Sequence, residues 1–346
     1  MQISRKPVAT LGIDLAKRVF ALHGIDAAGH VALRRTVSRG ELVHVIARLG
    51  PCLIGMESCS GAHEWARQFG QLGHTVRLIA PAFVQPYRKS GKNDSNDAEA
   101  ICEAVGRPSM RFVAVKTVEQ QAVLTVHRAR QGYVEERTAL INRIRGLMAE
   151  FGFVFATGLA GLRDGLSEAI EKLPTMAREI ITDLFDHLRY LGERISKYDQ
   201  RLAAMVRESE SARRLQTIPG IGPVTALAIV ATVGDAKTFK NGRQFAAWLG
   251  LVPKQHSSGG KNRLLGISKR GNEYLRTLLV QGARSTMQRA STSHDRMGNW
   301  TQALQARRGY HKTRVAVAAK NARIAWCVLA RGVSYEPRDM AGEAAA

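Results

Sequence analysis

The first hundred residues alternate in a way that few folds accommodate. "VATLGID" and "VFALHGID" are short runs rich in β-forming residues, and "GHVALRRTV" is a third that opens on glycine. Their close spacing predicts a three-stranded antiparallel meander. "ELVHVIARLG" then changes period, with Leu42, Val45, Ile46 and Leu49 on one helical face. "CLIGMES" reads as a buried strand, "HEWARQFGQLG" as a helix, "TVRLIA" as a strand and "SNDAEAICEAVG" as a helix. The predicted order is therefore βββαβαβα.

That is the order of an α/β ribonuclease-H-like (RuvC-like) domain, in which the first and fourth strands lie side by side. Acids stand at telling places in it. Asp14 closes the first strand, Glu57 closes "CLIGM", and Asp94 and Asp97 share a face at the start of the last helix. Helix capping alone would account for the Asp94/Asp97 pair. The two strand-end acids change the balance, because this order can bring all four to one sheet edge. Four carboxylates repel unless divalent cations lie between them, and oxygen ligands suit Mg²⁺ or Mn²⁺. Two such ions about 4 Å apart clamp the attacking and leaving oxygens of a phosphodiester. Sugar kinases and actin-like ATPases also begin with a strand ending Gly-x-Asp. Their first loop continues with Gly and Thr, whereas here Leu15, Ala16 and Lys17 follow.

From Lys116 to Glu150 the pattern turns helical, and a Gly-rich break is expected around "FATGLAGLRDG". Ile181, Leu184, Leu188, Leu191, Ile195, Tyr198, Leu202 and Met205 then repeat every three or four residues, the a/d seam of a coiled coil. A helical hairpin, an intermolecular coiled coil or an amphipathic helix packed on its own domain would each produce it. "TIPGIGPVTA" has the form of a helix-hairpin-helix, in which Gly220 and Gly222 would let backbone N–H groups approach phosphate. An ordinary tight turn is the alternative. Between Ala236 and Arg276 stand nine Lys or Arg and one acid, Glu273. Within that stretch, "HSSGGKNR" combines hydroxyls, glycines and cations in an expected flexible loop. Its serines either bind backbone phosphate, with Lys261, Arg263, Lys269 and Arg270 nearby, or one of them attacks phosphorus.

The formal charge is 51 − 29 = +22, which suits a polyanionic partner. A membrane-surface protein would want a basic amphipathic helix or a lipidation signal, and neither is evident. No run of eighteen apolar residues occurs and no signal-peptide apolar region is seen, so a cytoplasmic protein is expected. The four cysteines show no metal-ligand spacing and read as reduced, mostly buried thiols. The expected divisions are 1–112 for the α/β metal-binding domain, 113–210 for a helical coiled-coil region, 211–335 for a mainly α domain carrying the serine loop, and 336–346 for a tail.

Taken together, "GIDLAK", "GMES", "KNDSNDA", "IPGIGPVTA", "FAAWLGLVP", "SSGGK" and "GISKRGNEYLR" resemble the transposases of the insertion-sequence 110 family, with the spacing of its 1111 subgroup. The resemblance implies a DEDD tetrad of Asp14, Glu57, Asp94 and Asp97 that binds Mg²⁺, and a serine, best matched by Ser257, that links covalently to DNA. It also implies a site composed between protomers of a homo-oligomer, element-end and target DNA as substrates, and an element-encoded guide RNA as partner. "HSSGG" is less serine-rich than in other branches, so Ser257 and Ser258 both stand as candidates. Two other functions fit the residues: a RuvC-like endonuclease that activates water, and a non-enzymatic nucleic-acid scaffold whose acids only cap helices.

Overall fold

In a computed structural model describing residues 7–89, 91, 93–293 and 295–337, the early runs form elements where their periodicity places them. Strands β1 (Thr10–Leu15), β2 (Val19–Ile25) and β3 (Val31–Ser38) make the antiparallel meander. Helix α1 (Arg39–Ala47), β4 (Leu53–Glu57), α2 (Ala62–Gln71) and β5 (Thr75–Ile79) follow. Then come α3 (Pro81–Val84), a single 3-10 turn, α4 (Asp94–Val105) and the two-residue strand β6 (Phe112–Val113). The sheet order is β3-β2-β1-β4-β5-β6, with β4 parallel to both β1 and β5. Strand alternation explains the layering. Leu11, Ile13, Ile54 and Met56 point into a core with Trp65 and Phe69 of α2 and Leu42 and Ile46 of α1. The other face is covered by α4 through Ile101, Ala104 and Val105.

The chain divides into two units, residues 1–118 and 119–346. In the second, α5 (Val118–Ala149), α6 (Gly158–Glu171) and α7 (Thr175–Glu208) come first. The heptad seam is satisfied within the chain. Ile181, Leu188 and Leu191 of α7 pack with Leu140, Ile144 and Met148 of α5 and with Leu162 and Leu166 of α6. Arg130 pairs with Asp199 at 2.5 Å, and His187 contacts Glu136 at 3.1 Å. These contacts run in opposite senses along α5 and α7, which makes the pair an antiparallel hairpin. The expected Gly-rich break is instead largely helix α6, because Leu162, Leu166 and Ala169 form an apolar stripe with somewhere to bury. Gly161 lets the chain turn back, since a Cβ there would lie 2.6 Å from the Ala156 carbonyl.

The remainder comprises α8 (Glu210–Gln216), α9 (Pro223–Val233), a 3-10 turn, α10 (Gly242–Trp248), the hairpin β7 (Pro253–Gln255) and β8 (Leu264–Ile267), then α11 (Glu273–Ala290), α12 (Arg296–Arg308) and α13 (Tyr310–Arg331). Their core joins Leu215, Ile229, Phe245, Leu279, Val317 and Ala322, together with Leu202 and Val206 from the end of α7. Of the expected tail, residues 338–346 lie outside the described residues. Among the described residues no helix is long and apolar enough to cross a membrane.

Candidate carboxylate site and serine hairpin

Two strand glycines decide where the carboxylates go. A Cβ on Gly12 would lie 2.2 Å from the Ala98 carbonyl and 2.4 Å from the Cys102 amide. On Gly55 it would lie 2.7 Å from the Val105 side chain. Helix α4 therefore rests directly on β1 and β4, antiparallel to both, with its N-terminus at their C-terminal ends. Side chains two apart on a strand share a face. Asp14 and Glu57 consequently lie on the α4 side, at the ends of adjacent parallel strands about 4.8 Å apart, with Asp94 and Asp97 in the first turn of the helix at the same end. The thiol of Cys59, just beyond β4, reports this crowding. Although the residue is exposed as a whole, its pKa is raised first by the partial desolvation of the thiol, then by the fields of Glu57 and Asp14 together.

The N-cap position falls to neither helix acid, although both stand in the first turn, where the helix dipole favours them. The N-cap is Asn93, whose side chain accepts from the Asn96 amide at 2.9 Å, so neither Asp94 nor Ser95 serves in that position. Ser95 instead accepts a hydrogen bond from Arg34 at 3.0 Å. Asp97 meets a residue absent from the sequence expectations: Arg88 Nε stands 2.6 Å from Asp97 Oδ1. The contact is an ion pair by distance but not a directed hydrogen bond, since both atoms are buried without a hydrogen-bond partner. Arg88 thus already sets a cation against Asp97 and holds its carboxylate at this end of the sheet, and the oxygen-only donor set of Asp14, Glu57, Asp94 and Asp97 is of the kind that suits a divalent ion. In this conformation no three His, Cys, Asp or Glu side chains among the described residues close into a ligating cluster. Of the cysteines, Cys52 and Cys102 are buried, Cys327 is half-buried and Cys59 is exposed.

The serine segment, expected as a flexible loop, forms the turn of a two-stranded hairpin. Gly259 and Gly260 have φ of 55° and 74°, and the Lys261 amide donates to the Ser258 carbonyl at 3.0 Å. Two central residues with positive φ define a type I′ turn, whose twist matches the flanking strands. Ser257 and Ser258 are both exposed, but their roles differ. Ser257 Oγ accepts from Gln255 Nε2 at 3.0 Å and from the Arg263 amide at 3.3 Å. Ser258 pairs with Lys261 across the hairpin through its backbone. Lys261 and Arg263 are exposed between the turn and β8, and Lys269 and Arg270 are exposed at its foot. Lys269 adopts φ 54°, the left-handed region that side chains rarely enter. The foot is fixed by close backbone packing. A Cβ on Gly250 would lie 2.1 Å from the Arg270 carbonyl, and one on Gly271 would lie 1.8 Å from the Trp248 carbonyl.

The "IPGIG" turn joins α8 to α9 as expected, but Gly220 is occupied by packing. A Cβ there would lie 2.3 Å from both the Gly282 carbonyl and Thr286 Oγ1 of α11. Thr286 Oγ1 and Asn321 Nδ2 donate to the neighbouring Pro219 carbonyl at 2.8 and 2.9 Å. The close approach that a glycine permits is thus spent on α11 at Gly220, while Gly222 faces open space.

An α/β layer that gathers acids at one strand end, followed by a helical unit carrying a basic serine hairpin, defines a class of nucleic-acid-processing protein, and comparison with known proteins narrows it. Residues 11–153 match the DEDD domain described as a transposase of the IS110 type, and residues 212–297 match the "Transposase IS116/IS110/IS902 family". The chain is 48% identical to a "Probable family 20 transposase" of Pseudomonas aeruginosa, over 95% of this chain and 99% of that protein. It is 46% identical to the "Transposase for insertion sequence element IS1111A" of Coxiella burnetii, over 96% of this chain and 92% of that one. It is 43% identical to the "Transposase for insertion sequence element IS1328" of Yersinia enterocolitica, over 95% and 98%. The chain belongs to the IS110 family of insertion-sequence transposases. The DEDD domain suggests a divalent metal ion.

Proposed function

We propose that this chain is an RNA-guided DNA transposase that cleaves and rejoins phosphodiester bonds through a covalent phosphoserine. In this reading its α/β unit is ribonuclease-H-like. Asp14, Glu57, Asp94 and Asp97 would hold Mg²⁺ or Mn²⁺, which neutralises charge on the reacting phosphate and lowers the pKa of a bound hydroxyl. Ser257 Oγ gives up its proton and forms a bond to phosphorus as one strand's P–O ester bond breaks, and the departing alkoxide takes up a proton to leave as that strand's hydroxyl. Attack by the hydroxyl of a second strand reverses the step and releases the serine, so rejoining requires no ATP. Lys261, Arg263, Lys269 and Arg270 oppose the phosphate charge, and Gly222 offers backbone at the start of α9. Residues 113–210 and 211–335 act as a helical spacer and as the part that presents the serine. The substrates are element-end and target DNA, the partner is an element-encoded guide RNA, and the working form is a homo-oligomer.

One observation carries this reading: acids from two neighbouring strand ends and one helix start lie on the same face at the same end of the sheet. Two hydrogen bonds fix the position of Ser257 Oγ, which favours it over Ser258, and one of the two donors must withdraw to free a lone pair for phosphorus. The deciding experiment incubates the protein with element-end DNA, cognate RNA and Mg²⁺ and then searches by mass spectrometry for a nucleotide-bearing serine. A phosphoserine adduct at Ser257 supports the proposal. Full-rate nicking by Ser257→Ala without any adduct establishes the water-using endonuclease instead.

A further inference from the structure

The end of the helical unit carries a second concentration of charge that neither the carboxylates nor the serine hairpin uses. From Arg296 to Tyr335 there is no Asp or Glu, against eight Lys or Arg. The densest part is "RRGYHK", Arg307 to Lys312, where α12 meets α13 across Gly309 alone. Gly309 has φ 78°, its amide closes α12 on the Gln305 carbonyl, and its carbonyl receives the Thr313 amide and hydroxyl. The two helices therefore form a fixed corner, not a loose linker. Every residue from Gln305 to Lys312 is exposed. Among the described residues Arg307, Arg308 and Lys312 form no salt bridge. Arg314 Nε, one turn further on, is buried with no hydrogen-bond partner.

Ordinary helix electrostatics explain only half of this corner. Arg307 and Arg308 sit in the last turn of α12, where cations complement the dipole. His311 and Lys312 sit in the first turn of α13, which has no acid and where cations oppose the dipole. A corner that gathers cations against the local field, with no carboxylate to offset them, is matched by an external anion. Its exposed tyrosine, Tyr310, stands edge-on to His311 at 5.4 Å and adds a hydroxyl donor. These exposed side chains are spread over the adjoining ends of two helices, which suits an extended polyanion better than a small phosphate ligand.

We infer that Arg307, Arg308, His311 and Lys312 anchor the phosphodiester backbone of duplex DNA, independently of its sequence and apart from the reacting phosphate. The inference rests on the DNA-processing function proposed above. Such contacts hold and orient the duplex; they do not read its bases. Each phosphate neutralised contributes about 0.9 to the slope of log K against log salt for duplex DNA.

The test is fluorescence anisotropy with a labelled duplex of arbitrary sequence, titrated across salt concentration, for the full chain and for Arg307→Ala/Arg308→Ala/Lys312→Ala. The expected result is a slope shallower by about 2 to 3, weaker binding of all duplex sequences alike, and an unchanged circular-dichroism spectrum. Arg307→Lys/Arg308→Lys should retain the parent slope, because charge and not shape is recognised. An unchanged slope in the triple Ala variant overturns the assignment, as does a reduction seen with a structured RNA but not with duplex DNA. Failure of the parent chain to bind any duplex sinks the DNA reading itself, whereas an altered corner with intact parent binding tests this inference alone.

Discussion

Gly12→Ala is the smallest change that tests whether the carboxylates work as a group. The added methyl would lie 2.2 Å from the Ala98 carbonyl, against 3.4 Å for ordinary contact, so α4 must retreat by 3.4 − 2.2 = 1.2 Å or tilt. Because the obstructing atoms are backbone, no rotamer change relieves them. Overpacking of this kind costs about 1–3 kcal/mol, and the retreat carries Asp94 and Asp97 away from Asp14 and Glu57. A misplacement of about 1 Å in a reacting geometry can cost about 100-fold in rate. Thermal unfolding of the isolated protein and single-turnover cleavage of element-end DNA measure the two effects separately. Gly40→Ala is the control, since a Cβ there meets nothing within 4 Å and α1 should gain slightly from it. Cleavage by Gly12→Ala at the parent rate, with the protein folded, would refute the argument that α4 seating positions a working tetrad.

Asp14→Asn should lose strand cleavage while keeping its fold and its affinity for DNA; unchanged Mg²⁺-dependent cleavage counts against the tetrad. Ser257→Ala should abolish the covalent adduct and strand exchange while Ser258→Ala remains mild, and an adduct on Ser258 reverses that assignment. Leu188→Asp should destabilise the second unit by about 3 kcal/mol or more, because it buries a charge among α5, α6 and α7; an unaltered melting temperature would show that the seam is not packed within the chain. Burial pushes the His127 imidazole down to about 4, below its ordinary 6.5. The unfolded chain therefore binds the extra proton first. Stability from this group is full above pH 6.5 and declines as pH falls toward 4, by at most about 3 kcal/mol. His127→Gln should flatten denaturant midpoints across that window.

Periodicity made the sheet legible. Strands with β-forming residues in alternation and helices with one apolar face announce themselves locally, and so did the order that sets β1 beside β4. What stayed hidden depends on contacts between distant residues. Helix α6 looked like a break because its glycines are conspicuous, yet Leu162 and Leu166 find a groove on α5 and α7 that only tertiary packing supplies. The heptad seam gives no sign of whether its partner is another chain or, as here, α5. Gly220 reads as a phosphate contact until α11 is seen against it. Arg88 was lost among many cations, and only the return of the chain after β5 brings it to Asp97. The hairpin was legible in principle: Gly-Gly between short runs is a turn signal, but the first run, PKQ, is polar and the second, LLGI, is apolar yet largely exposed, so no alternation marks them as strands.

The relation between glycine and acid in the first unit was present in the sequence all along. β1 carries Gly12-Ile13-Asp14 and β4 carries Gly55-Met56-Glu57, the same three-part unit on adjacent parallel strands. Each part answers a separate requirement. Ile13 and Met56 face the α1/α2 core and are fully buried, which fixes the orientation of both strands. A slip of one residue would turn them out and turn the acids in, so the core enforces the register of the site. The glycines face the other way and remove the side chains that would hold α4 off the sheet. Two residues on, the chain passes beyond the first turn of α4, and there a carboxylate has room to project. The acids stand where helix coverage ends, and the glycines set how close that edge can come. Replacing Gly55 by Ala should therefore be milder than the same change at Gly12, since it meets the Val105 and Ile101 side chains and not the helix backbone. Equal loss of cleavage in the two variants would mean that α4 is seated by something other than these glycines.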